Sequence, residues 1–380
     1  DVSAFETLDG VPRTEAVIDL SAISHNVATL KAGTAAEVMA VVKADGYGHG
    51  LVESARAARS GGASWFGTAT LDEALALRGA GLDDPVLAWL WVPDEKDALR
   101  RAIGAQIDIS VSNQWQLSAV RAVGRPARVH LKIDTGLSRN GCYVTDWPGL
   151  VTAAAKLQAA GEVEVVGVWS HLVYADQPDH PTNARQLTAF RDALQVADQA
   201  GLKPRVRHLA NSAATLSLPE AHFDLVRPGI AVYGLSPMPG RGNAGLIPAM
   251  TLRATVASVK RVRAGEGVSY GHVYTTGRPT TLALVPLGYA DGISRRATNI
   301  GPVSINGRRC TISGRVCMDQ FVVDVGDLDV APGDVAVLFG PGTDGEPTAG
   351  EWADAISTIH YEIVTGIGAR VPRVYVEAAR

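Results

Sequence analysis

The chain has 380 residues, 46% hydrophobic and 19% charged, and its 35 basic and 39 acidic side chains leave a net charge of −4. That apolar fraction supports a buried core and excludes intrinsic disorder, and the 40 glycines and 20 prolines show no short period, which excludes a fibre. The slightly acidic balance, without a basic block, argues against nucleic acid or an anionic membrane as partner.

One α/β barrel of ~250 residues plus a remainder of ~130 fits this length, as do two or three ordinary domains. Cys142, Cys310 and Cys317 are scattered, with no CxxC pair and no zinc spacing. They read as reduced thiols in a cytoplasmic protein, and no metal is expected. No run approaches the ~18 apolar residues of a membrane span. The opening DVSAFETLDGVPRTEAVIDL lacks the charged start and apolar stretch of a secretory signal.

In chain order, short β-branched runs alternate with Ala/Leu-rich stretches of helical length. The runs are EAVIDL (15–20), EVMAVV (37–42), WFGTAT (65–70), PVLAWL (85–90), IDISV (107–111), ARVHLKI (127–133), VEVVGVW (163–169), RVRHLA (205–210) and FDLVRPGIAVYG (223–234). Several intervening stretches close on glycine, as helices often do. Near-continuous apolar strands between helices predict a parallel sheet covered by helices. Nine candidates over this length suit a closed (β/α)8 barrel, with one candidate belonging elsewhere; an open doubly wound sheet is the alternative. At LSPMPGRGNAGLIPAM (235–250) the texture changes. Beyond it, turn residues such as Asn306-Gly307 punctuate strand-like runs, predicting a mainly antiparallel β domain with one helix near Glu351–Ser357. The expected division is a barrel over 14–243 and a β domain over 244–380, with residues 1–13 packed on the latter.

In a barrel the chemistry lies at the C-terminal strand ends. Lys43 follows EVMAVV; Lys132 and Asp134 close VHLKID, with Arg139 beyond; Ser170 and His171 end VEVVGVW; Asn211 and Ser212 end RVRHLA; Arg227 lies in FDLVRPG. A lysine inside a barrel mouth is desolvated, which lowers its pKa and frees an amine able to form a Schiff base. Alone it would read as a lysine reaching to the rim. The following ADGYGHG permits close backbone approach and offers the Tyr47 hydroxyl to an anion. Asn211-Ser212 and Gly229-Ile230 supply N–H and hydroxyl groups for a phosphate, although Asn-Ser is also an ordinary helix cap. A Schiff-base lysine with a phosphate cradle points to pyridoxal 5'-phosphate.

The order AVVKADGYGHG (40–50), HLKIDTGLSR (130–139), HLANSAA (208–214), VRPGIAVYG (226–234), VSYG (268–271), LGYADG (287–292) and GRVCMDQ (314–320) resembles the bacterial alanine racemases along nearly the whole chain. That resemblance implies a homodimeric, pyridoxal-phosphate-dependent isomerase that interconverts L- and D-alanine and supplies D-alanine for peptidoglycan. It makes Lys43 the Schiff-base lysine and one base, and Tyr270, reaching in from the partner subunit, the other. Tyr47, Ser212, Gly229, Ile230 and Tyr361 would hold the phosphate, with Asn211 and His171 beside the cofactor. Arg227 would face the ring nitrogen and Arg139 the phenolic oxygen. Arg139 and Met318, the latter also from the partner, would meet the substrate carboxylate. Lys132 matches a position often carbamylated, and Tyr289, Arg295 and Arg315 would line the substrate entrance. Asp319 receives no role.

Leu137-Ser138 stands where Met-Gly is common, and Pro228 takes a position where an aromatic or proline occurs, which bears on packing more than on reaction type. His49 and His208 fall within the motifs and are candidates to support the site. His25, His180 and His222 read as surface residues, Cys317 as a packed thiol, and the seven tryptophans as core or interface. Racemisation needs an acid/base group on each face of a planar centre, and a cationic neighbour such as His171 or Arg227 would favour the Tyr270 phenolate. The competing readings are a racemase of wider range (serine, for example), a decarboxylase of the same architecture and a non-catalytic pyridoxal-phosphate-binding barrel.

Overall fold

The computed structural model describes residues 12–378. Its first strand, β1 (Thr14–Asp19), is followed by a helix over Leu20–Ala32 that Asp19 caps. Eight parallel strands then close a barrel: β2 (Glu37–Val41), β3 (Trp65–Thr68), β4 (Val86–Ala88), β5 (Asp108–Val111), β6 (Ala127–Lys132), β7 (Val163–Trp169), β8 (Val206–His208) and β9 (Leu225–Val226). Closure is the pairing of β2 with β9, Glu37 opposite Leu225 and Val38 opposite Val226. These strands are buried on both faces, which is why they read as apolar runs without alternation. Helices wrap the outside, several opened by side-chain caps such as the Thr70/Glu73 capping box and Asn113.

The candidate belonging elsewhere is the first. EAVIDL, expected at the head of the barrel, is β1, and β1 pairs antiparallel with Met250–Thr255 and parallel with Arg373–Val376. It lies inside a six-stranded sheet of the C-terminal half, completed by Val335–Phe339, Pro302–Ile305 and Arg308–Thr311. A strand buried by its sheet neighbours looks in sequence like a barrel strand, which explains the exchange. Of the stretch 1–13 expected against the β domain, residues 1–11 lie outside the described residues; the Arg13 carbonyl accepts the Thr255 amide at 3.1 Å.

A second sheet joins Ser258–Val262, Thr280–Val285 and Phe321–Gly326, all antiparallel. The helix expected near Glu351 spans Ala349–Ile356, and another, Leu-poor and unanticipated, covers His360–Thr365. The segment at 235–250 is irregular; Asn26 fixes it to the barrel by accepting the Ile247 amide at 2.7 Å and donating to the Val232 and Ile247 carbonyls.

The barrel interior is filled by Met39, Trp65, Leu87, Val166, Trp169, Val206 and Leu225, an apolar cluster separate from the layer between strands and helices. Threaded through it are three wholly buried polar residues, Asp108, His130 and His208. His222 proves buried rather than superficial: its ring bonds Thr34 and the Ala214 and Thr215 carbonyls, docking the chain before β9. No helix among the described residues is long and apolar enough to cross a membrane.

Candidate active site

The apolar run of β2 ends at Val42, and Lys43 opens a turn without precedent in ordinary helices. Ala44, Asp45, Gly46 and Tyr47 all hold φ between 52° and 59°. Non-glycine residues resist that region by about 1–2 kcal/mol each, so the surroundings must impose it. They do: the Ala44 amide donates to Glu73 at 2.6 Å, the Gly46 amide to the Val42 carbonyl at 2.8 Å, and Asp45 accepts the Leu51 amide at 2.9 Å. The turn sets Lys43 toward Trp89, with Nζ 5.8 Å from the ring centroid, and sends Tyr47 inward against Tyr233 at 4.8 Å. Burial, helped by the charge of Arg139, lowers the Lys43 pKa.

Around Lys43 stand further cations that share one aromatic platform. Lys132 Nζ lies 4.2 Å and the Arg227 guanidinium 4.7 Å from the centroid of Trp169, whose indole N–H is anchored on Ser110 at 3.0 Å. Burial, then Arg227 and Arg139, pushes the Lys132 amine down to about 7. Lys132 forms no ion pair among the described residues. Arg227 is buried without a carboxylate beside it; its Nη1 donates to His208 Nδ1 at 3.0 Å and its Nη2 to the Ser170 carbonyl at 2.9 Å and His171 Nδ1 at 3.1 Å. Burial and Arg139 push its pKa down to about 9, so it remains a cation at neutral pH. Burial and these same cations hold His171 far below its usual value and therefore neutral. Arg139 itself is exposed on the loop after β6.

Ser212, Gly229 and Tyr47 come together between β8, β9 and the Lys43 turn. Ser212 Oγ accepts the amides of Gly229 at 2.9 Å and Ala231 at 3.2 Å, which leaves its hydroxyl hydrogen free to donate outward. Gly229 carries no side chain where a methyl would collide with the Tyr47 hydroxyl, and Ile230 opens a short 3₁₀ turn beside it. Tyr361, on the helix His360–Thr365, stands 6.4 Å from Tyr47 ring to ring, and burial pushes its hydroxyl up to about 12. Asn211 is committed to capping: its Oδ1 accepts the Ala214 amide at 3.1 Å.

The remaining candidates gather on the β domain. Tyr270 is 71% exposed, Met318 54% and Tyr289 44%. A surface cleft brings Ser269, Tyr270, Gly271 and His272 together with Cys317, Gln320 and Phe321. The amides of Tyr289 and Ala290 donate to the Cys317 and Met318 carbonyls at 3.0 and 2.9 Å, tying the LGYADG turn to the Met318 loop. Arg315 lies against Gly271, and Arg295 is exposed. Arg370 clamps this arrangement, pairing with Asp291 and with Asp319 at 2.7 Å each. Arg370 and Asp291 escaped the sequence reading, as did Glu73 and Asp108; LGYADG was recognised as a motif, but nothing in it announces an ion pair across 79 residues.

Known proteins match this arrangement over nearly its whole length. The alanine racemase N-terminal domain matches residues 18–237 and the alanine racemase C-terminal domain residues 249–375. The alanine racemase of Salinispora arenicola is 62% identical over 96% of this chain and 98% of its own, and that of Thermobifida fusca 60% identical over 96% and 99%. Among solved structures, alanine racemase from Streptomyces lavendulae superposes with a TM-score of 0.94 at 55% identity, covering 97% of this chain and 98% of its own. The Bacillus anthracis enzyme, with bound L-Ala-P, gives 0.90 at 34% identity, covering 97% and 96%. A (β/α)8 barrel joined to a β domain, with a lysine at the first strand end, is thus the frame of an amino-acid isomerase. The chain belongs to the alanine racemase family, and its reaction is the interconversion of L- and D-alanine.

Proposed function

We propose that the chain racemises alanine with pyridoxal 5'-phosphate, using Lys43 and Tyr270 of the partner subunit as bases on opposite faces, in a homodimer whose two sites are each built from both subunits. What supports this most is the split between a buried lysine in the barrel and an exposed tyrosine, 71% accessible, on the β domain. A base left in water gains no help in proton abstraction, so Tyr270, Met318 and Tyr289 make sense as the half of a site that a second barrel mouth covers.

The residues present fit the cofactor. Ser212, Tyr47, Tyr361 and the amides at Gly229 and Ile230 offer donors to a phosphate where Gly229 leaves room. Arg227 offers a cation to the ring nitrogen, and Arg139 a second to the phenolic oxygen. When bound, the cofactor supplies a conjugated ring that stabilises negative charge at the amino acid's α-carbon.

Lys43, its ammonium disfavoured by burial, is suited both to hold the cofactor and to exchange a proton on one face. His171 accepts from Arg227 at Nδ1, so its hydrogen sits on Nε2 and can donate to the phenolic oxygen of Tyr270 of the partner subunit. Arg227 gives the ring a cation that keeps its own proton, unlike a carboxylate partner, and so limits charge spread and side reactions. Lys132, half-neutral at pH 7, has a lone pair able to take up carbon dioxide; the carbamate would set an anion among Arg139, Arg227 and Lys43. The three cysteines are free, in keeping with a cytoplasmic enzyme that provides D-alanine for peptidoglycan.

The test is racemisation of a panel of L-amino acids with added cofactor, read by chiral chromatography. Turnover of alanine well above serine and larger substrates is expected. Bound cofactor without alanine turnover would contradict the proposal, and comparable serine turnover would widen the substrate range.

A further inference from the structure

Behind Arg227 a continuous line of hydrogen bonds runs through the barrel interior. Arg227 Nη1 donates to His208 Nδ1 at 3.0 Å, His208 Nε2 lies 2.9 Å from His130 Nδ1, and His130 Nε2 lies 2.9 Å from Asp108 Oδ2. Asp108 Oδ1 accepts from Arg128 Nε at 2.6 Å, and Arg128, partly exposed, also meets Glu164 at 3.2 Å. Burial works against ionisation of Asp108, but the hydrogen bonds from His130 and Arg128 and the charge of Arg128 outweigh it and hold the carboxyl below its usual range.

The two ends dictate the same arrangement of hydrogens. An ionised carboxylate can only accept, so His130 carries its hydrogen on Nε2 and presents a lone pair at Nδ1. His208 must then carry its hydrogen on Nε2, leaving its Nδ1 lone pair for the guanidinium. Beginning at Arg227, which can only donate, gives the identical result. Any other tautomer sets two donors, or two lone pairs, against each other in a space without solvent.

The local backbone is shaped for the line. The register of β6 against β7 shifts between Val129 and His130, so that His130 pairs with Gly167. A methyl at Gly167 would collide with His130 Nδ1, so glycine leaves the space in which the two imidazoles meet. Trp65 closes edge-on over His130 at 5.6 Å, and Trp169 lies flat on His208 at 5.4 Å and 14°.

We infer that Asp108 and His130 are positioning residues for the reaction: through His208 they fix the orientation in which Arg227 would meet the cofactor's ring nitrogen, and they offset its buried charge with a carboxylate two imidazoles away. One Nη1 hydrogen is spent on His208 and both Nη2 hydrogens on Ser170, His171 and, at 3.4 Å, Leu209, so the line decides which two of the five remain for the ring. This inference rests on the cofactor reading above.

The test uses the purified full-length enzyme with selectively ¹⁵N-labelled histidine. Long-range ¹⁵N–¹H spectra should show the Nε2–H tautomer for both His130 and His208. Asp108→Asn, which keeps shape but removes charge, should disturb the His208 signals and lower kcat about tenfold while KM for alanine changes less than twofold; Gly167→Ala should do the same by displacing His130. The Tm of each variant is recorded to separate loss of stability from loss of positioning, and the wild-type tautomers need no substitution. An Nδ1–H tautomer at either histidine, or an Asp108→Asn enzyme with altered Tm but wild-type His208 signals and kcat, would overturn the inference. Correct tautomers in a chain that does not racemise alanine would uphold the line and refute the functional reading instead.

Discussion

Lys43 and Lys132 are ordinary lysines in sequence and differ from surface lysines only by what surrounds them. Both lose the solvation of their ammonium group, and at both the neighbouring cations, Arg139 at Lys43 and Arg227 and Arg139 at Lys132, outweigh the nearby Glu73 and Asp134. Lys43→Ala should abolish the borohydride-reducible visible chromophore of the holoenzyme along with racemisation; a reducible chromophore that survives would remove Lys43 from its role. At Lys132, ¹³C NMR with labelled bicarbonate should show one slowly exchanging carbamate that Lys132→Ala lacks. Arg227→Glu should raise long-wavelength absorbance in the presence of alanine and increase side reaction, because a carboxylate would let the ring hold a proton; unchanged spectra would contradict the assignment. These residues were legible because each ends an apolar strand. Asp108 was not: it sits inside IDISV as a lone acid, and its meaning comes from a neighbour on the next strand, 22 residues away.

At the scale of elements, the left-handed turn after Lys43 and the 3₁₀ turn at Ile230–Tyr233 meet at one contact, Tyr47 against Gly229. Gly229 has φ −111°, which any residue adopts, so an alanine there would be refused by space and not by the backbone. Gly229→Ala should therefore weaken cofactor retention at least tenfold on dialysis, with little change in Tm of the cofactor-free protein; retention at the wild-type level would contradict the cradle. The parallel strands were readable because burial on both faces leaves unbroken apolar runs, and VEVVGVW matches β7 residue for residue. β1 was misplaced for the same reason, since such a run carries no record of which sheet it joins. The helix bearing Tyr361 was hidden by its brevity: six residues give less than two turns of pattern.

For the whole molecule, buried neutral histidines make stability depend on pH. Burial pushes His49 down to about 4 and His208 well below its usual value, whereas both titrate near 6.5 once unfolded. Their folded pKa values are depressed, so the stability they permit is complete above 6.5 and is lost as the pH falls from there toward 4. His49 should remove about 1.4 kcal/mol of unfolding free energy per pH unit in that window, and His208 acts in the same direction. Denaturant titrations at pH 7, 6 and 5 should show this decline, and a flat series would contradict it.

In the proposed function, Lys43 on the barrel and Tyr270 on the β domain meet only across a dimer, which would then be the functional unit. Mixing Lys43→Ala and Tyr270→Ala subunits tests that directly. If each site takes Lys43 from one subunit and Tyr270 from the other, half of the reassociated dimers carry one intact site, and the two impaired proteins together recover about a quarter of wild-type activity. If both bases come from the same chain, every site keeps a defect, and mixing restores nothing.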